Sequence, residues 1–95
     1  MKPILTETLA IIVENICGAD PLRAGRARPV VEARVLLANA LLELRGYTEE
    51  ETATAIGFDR CTIHHYKTLL ADARHYGNNP AMLRRWDKLK KIVEQ

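Results

Sequence analysis

Arg60, Cys61, Thr62, His64, His65 and Lys67 crowd together directly after Ile56-Gly57-Phe58-Asp59, and their side chains suit the reading of a DNA duplex. The Arg60 guanidinium can fork onto N7 and O6 of guanine. Thr62 can touch a thymine methyl or a phosphate, and His64 or Lys67 can reach a phosphate. Asp59 can accept from a cytosine amino group, although it equally suits the N-cap of a helix beginning at Arg60. Each residue alone reads as solvated surface; gathered at a helix start behind a glycine turn, they resemble the tip of a major-groove helix. A second cationic set, Arg23, Arg26 and Arg28, lies in Ala19–Arg28, which has no apolar periodicity. An arginine arm of this kind can place a guanidinium in a narrow minor groove, where the potential is most negative. Arg34 falls on the helix side of Val30, Leu37 and Leu41. A phosphate ligand, a snorkelling surface arginine and an internal ion pair all remain open for it.

Catalytic arrangements are missing from the pattern. No Ser/His/Asp set or Cys/His pair with a credible base is present, and no glycine-rich phosphate loop. Cys61 and His65 are one helical turn apart and could share a metal, but a third ligand is not evident. The expectation is therefore a protein that is not an enzyme and needs no metal, cofactor or small-molecule substrate.

These residues must be held by helices. Leu5, Leu9, Ile12, Val13 and Ile16 recur at helical spacing and predict a helix from about Ile4 to Cys17, ended by Gly18. A loop with one turn at Asp20-Pro21-Leu22 follows. Pro29 suits the start of a long helix to about Arg45, apolar at Val30, Ala33, Leu36, Leu37, Ala40, Leu41 and Leu44. Glu32, Asn39 and Glu43 form its polar stripe, and so apolar a helix belongs at the centre. Thr48 and Glu51 make a capping box for a short helix, and Glu49–Glu51 suit the positive end of its dipole. Gly57 supplies the positive φ of the turn. The helix from Arg60 to about Tyr76 has the core stripe Ile63, Tyr66, Leu70 and Ala73, and Gly77 ends it. Asn79-Pro80 opens a last helix with Leu83, Trp86, Leu89 and Ile92 on its apolar side. The expected fold is an all-α, five-helix bundle containing a helix-turn-helix; a plain helical hairpin could show the same local features.

With 95 residues, one domain is the natural expectation, and the core can only be modest. Apolar residues make up 47 % and aromatics 5 %, which favours helices packed through Leu, Ala, Val and Ile. A net charge of +2 is too small to establish nucleic-acid binding, so placement of charge must carry the case. Glu49, Glu50 and Glu51 work against affinity, because the helix they open is the one that usually crosses the DNA backbone. Arg84, Arg85, Lys88, Lys90 and Lys91 read as a basic patch or as the solvated face of the last helix. Cys17 and Cys61 lack metal spacing and suit reduced thiols. Met1-Lys2-Pro3 opens no signal-peptide core, and no apolar run reaches a membrane span, so a cytoplasmic, nucleoid-associated protein with no membrane partner is expected.

Arg26-Ala27-Arg28-Pro29-Val30-Val31-Glu32-Ala33-Arg34, then an apolar helix, then Thr48 to His65, resembles the C-terminal DNA-binding domain of the bacterial replication initiator DnaA. The resemblance covers about residues 10–72 and leaves 78–95 as an extra helix. It implies an all-helical, Trp-repressor-like fold and double-stranded DNA as the partner. It places Arg26 as a minor-groove arginine and Arg34 as a phosphate contact. Asp59 and Thr62 match the family's major-groove Asp and Thr, and Ile63 and His65 its Val and His. Phe58, Arg60 and Cys61 depart from the signature, standing for its Arg, its His and its Ser or Thr. The resemblance implies a bacterial or phage protein regulating transcription or replication. The alternative is a protein-interaction module that keeps the fold without binding DNA, using the acidic helix and an exposed Trp86 or Met82 region. A third reading is a homodimer through the last helix.

Overall fold

In the computed structural model, which describes residues 6–94, five α-helices follow one another: α1 Thr6–Cys17, α2 Arg28–Asn39, α3 Glu49–Ile56, α4 Arg60–Tyr76 and α5 Pro80–Val93. No strand occurs among the described residues. The expected first stripe begins at Leu5, which lies with Ile4 and the Met1-Lys2-Pro3 start outside the described residues; of its remainder, Leu9 and Val13 are fully buried and Ile12 and Ile16 partly buried. Capping follows the chemistry of the ends. The Thr48 hydroxyl accepts from the Glu51 amide at 3.1 Å, and the Glu51 carboxylate accepts from the Thr48 amide at 2.9 Å. Gly57 adopts φ 79°, a conformation that a Cβ would strain. Asp59 and Asn79 cap α4 and α5, accepting from the Thr62 and Met82 amides.

The central helix departs from expectation in two ways. It starts one residue earlier, at Arg28, and is α-helical only to Asn39; Ala40–Leu44 widens into a π-helical turn, with the Arg45 amide donating to the Ala40 carbonyl at 3.2 Å. The widening begins beside Asn39, which the sequence puts in the polar stripe with Glu32 and Glu43. Asn39 is instead fully buried. Its Nδ2 donates to the Val35 carbonyl at 2.7 Å and to the Tyr66 carbonyl of α4 at 3.1 Å, so an interhelix bond offsets the desolvation of its amide nitrogen, while its Oδ1 has no partner among the described residues.

The core runs from Leu9 and Val13 through Leu36, Leu37 and Leu41 to Ile63, Leu70 and Leu89. In α5 the buried side is Met82, Trp86, Leu89 and Val93; Leu83 is only partly buried and Ile92 is exposed. The expected surface at Trp86 and Met82 is therefore corrected: these side chains are 3 % and 5 % exposed, because α5 turns them onto its own bundle. Arg74 holds Glu43 with two bonds of 3.1 Å while its guanidinium lies over Trp86. Arg85 reaches Glu32 at 3.1 Å, so one of the tail cations serves as an interhelix tie. No helix among the described residues is long and apolar enough to cross a membrane.

Candidate nucleic-acid interface

The three-residue turn Gly57-Phe58-Asp59 presents the amino-terminal end of α4, with Ile63 and Tyr66 sunk into the core beneath it. Burying every third or fourth residue leaves two outward stripes. Cys61, Thr62 and His65 line a cleft of about 650 Å³, and Arg26 and Arg34 line the same cleft. Its apolar walls are Val31, Phe58 and Tyr66. The arginine loop and the start of α4 thus share one concave face. Cys61 and His65 are exposed and Thr62 is half-buried.

Arg60, His64 and Lys67 form the second stripe and point to α3. Glu49 receives all three: Arg60 Nε at 3.6 Å, His64 Nδ1 at 3.4 Å and Lys67 Nζ at 3.7 Å. Glu50 adds a contact of 3.9 Å to Arg60. The sequence marks Glu49 as a helix-dipole residue and as negative charge working against affinity; the distance in sequence between α3 and Lys67 hid its link to three candidate contacts.

Arg34 resolves the three readings left open for it. It is 5 % exposed, its Nε donates to the Pro21 carbonyl at 3.2 Å, and its Nη2 donates to the Arg23 carbonyl. The guanidinium also lies over the Phe58 ring, 4.9 Å from its centroid, and Phe58 meets Tyr66 edge to face. Its head is held by loop carbonyls and an aromatic face, so Arg34 anchors the arm beside the cleft that it also lines. Neither a snorkelled head nor an internal carboxylate partner is found for it among the described residues. Arg23 gives the anchor its carbonyl and keeps an exposed side chain, while Arg28 pairs loosely with Glu32 at 3.4 Å; neither lines the cleft.

Two carboxylates at this face are held below their usual ranges. The hydrogen bond with His64 lowers Glu49, aided by the charges of His64, Lys67 and Arg60. The Thr62 amide lowers Asp59 most, with the Thr62 side chain and the Cys61 amide adding to it. A carboxylate whose folded value lies beneath its unfolded value adds stability that is complete above the unfolded value, 4.5 for Glu49 and 3.8 for Asp59. That stability disappears as acid titrates the folded group. The double variant Glu49→Gln, Asp59→Asn keeps an N-cap and is expected to lose Tm less steeply than the parent as pH falls below 4.5. Parallel melting curves of the two proteins across that range check it; identical acid limbs would reject it.

Among the described residues no three His, Cys, Asp or Glu side chains gather as a metal site. No protein-family model, curated protein or solved structure matches the chain.

Proposed function

We propose that the chain is a sequence-preferring double-stranded DNA-binding module of the Trp-repressor-like kind, with α3, the Gly57 turn and α4 as its helix-turn-helix. The observation that carries the reading is the shared cleft, in which Arg26 of the arm faces Thr62 and His65 of α4. An α-helix with its polar tip exposed fits the major groove, and an arm beside it falls near the adjacent minor groove. Anchoring by Arg34 fixes the arm before binding, which lowers the ordering cost of association. Control of transcription or replication is the role such a module serves.

The test begins with selection of binding sites from random duplexes, followed by salt-dependent shift assays. Arg60→Ala is expected to cost about 1–3 kcal/mol on the selected site and to relax preference at one base pair. Arg26→Ala is expected to weaken selected and random duplexes alike. Unchanged affinity of both variants for the selected site would remove this placement of the duplex.

The interaction-module alternative loses the surface it was expected to use, since Trp86 and Met82 are buried. Its remaining feature is the exposed acid of Glu50 and Glu51.

A further inference from the structure

We infer that Glu49 is a built-in competitor for DNA phosphates, holding Arg60, His64 and Lys67 on the α3 side of the reading helix and keeping affinity for random duplexes low. The inference rests on the DNA-binding reading above and concerns regulation of the same face.

One carboxylate meets three side chains spaced along two turns of α4, all within 3.7 Å. Glu49 is only 20 % exposed, whereas Arg60, His64 and Lys67 are 68 %, 66 % and 58 % exposed. The acid is thus the fixed member and the three α4 side chains are the movable ones. Its place at the first residue of α3 holds it further, because the positive end of the helix dipole favours a carboxylate there. A phosphate arriving at α4 offers Arg60 and Lys67 a like charge, and His64 an acceptor, and must displace Glu49 to take them. Exposed pairs of this kind are individually weak, so displacement is feasible. Base-edge bonds to Arg60 at a matching site provide the compensation that a random sequence lacks.

The electrostatic consequence is measurable. Cations neutralised by Glu49 contribute little to the release of DNA counterions, and each phosphate contact is worth about 0.9 in the slope of log affinity against log salt. Glu49→Gln frees the permanently charged Arg60 and Lys67. It is expected to steepen the random-duplex slope by about one to two and to raise random-duplex affinity roughly tenfold at low salt. Glu14→Gln makes the same change of net charge at an exposed position on α1 and is the control.

Shift assays on a random duplex with wild type, Glu49→Gln and Glu14→Gln decide the matter, with melting curves to confirm folding. A steeper slope in Glu49→Gln alone supports the inference. Equal slopes in the two variants overturn it while leaving duplex binding intact. No duplex binding by any of the three, on random or selected DNA, overturns the DNA reading and this inference with it. NMR titration of the Glu49 carboxyl in the free protein provides a readout without DNA. A titration in the ordinary glutamate range means that the clamp is not formed, and overturns the inference even if Glu49→Gln cannot be purified folded.

Discussion

Replacing Arg34 with Met is expected to destabilise the protein by about 3 kcal/mol and to release the arginine arm. Methionine keeps an unbranched apolar stem but donates nothing. The Pro21 and Arg23 carbonyls then lose their guanidinium partner, and charge-assisted bonds of this type are each worth about 1.5–3 kcal/mol. Loss of the contact over Phe58 adds about 0.5–2 kcal/mol. Relief from burying a charge offsets part of the sum, which is why the expected net is near the lower end. For a protein of this size the change corresponds to a fall in Tm of roughly 12–24 °C. Arg34→Lys is expected to rescue little, because an ammonium cannot serve two divergent carbonyls and a ring face with one planar fork. Arg28→Ala provides the contrast: that side chain is 87 % exposed, and its loose pair with Glu32 should be worth little. Amide exchange gives the local readout. Protection of the Leu22 and Arg23 amides, which bond to Asp20, should drop in Arg34→Met well before global unfolding. A variant with the parental Tm and protected loop amides would show that the arm is held by something else.

Local rules made the helix ends legible. The Thr48 box, Gly57, the Asp59 cap, Gly77 and Asn79-Pro80 are short-range devices, and each acts within a few residues of itself. The α4 stripe was equally plain, because Ile63, Tyr66, Leu70 and Ala73 repeat at the period of a helix with one covered side. Long-range pairing of polar groups was not legible. Asn39 looked solvated since nothing near it in sequence announces that the Tyr66 carbonyl waits for its amide. Arg34 stayed open among a phosphate contact, a snorkelled head and an ion pair because its partners are backbone carbonyls, which carry no residue-type signal. Trp86 and Leu89 of the expected α5 stripe are buried, but Leu83 and Ile92 gave way to Met82 and Val93 for a related reason. The α5 face that turns inward is set by neighbours on other helices, and four apolar positions at helical spacing admit a neighbouring choice that buries Met82 and Val93.

The candidate face shows the same division. Clustering of Arg60 to Lys67 behind the Gly57 turn could be read directly. That α4 divides them into a cleft side and a Glu49 side could not, since it depends on where α3 and the arm sit. Arg34, Phe58 and Tyr66 make that seating one connected object: loop carbonyls on the guanidinium, guanidinium on the turn's ring, ring against α4. The arm and α4 are therefore positioned by a shared contact chain, and a lesion in any link should disturb both.

Ile63→Ala is expected to have an effect of similar size by a different route. Ile63 is fully buried while its neighbours Thr62 and His64 are half-buried and exposed, so it is the pin between the amino-terminal turn of α4 and the core. Truncation to alanine removes transfer energy and leaves a cavity, together about 2–5 kcal/mol. Ile63→Val removes one methylene and should cost about 0.5–1.5 kcal/mol, giving a graded series at a single position. Cys61→Ala and His65→Ala, on the exposed cleft side, should stay within about 0.5 kcal/mol of the parent. Urea unfolding measures all four, with an unchanged m value as the sign that stability alone has moved. Duplex binding then separates two kinds of loss. Arg60→Ala should bind poorly while fully folded, whereas Ile63→Ala should recover binding under conditions that restore its folded fraction. A cost below about 1 kcal/mol for Ile63→Ala would mean that the tip of α4 is not seated on the core. The cleft and the Glu49 contacts, both built on that seating, would then have no rigid base from which to meet a duplex.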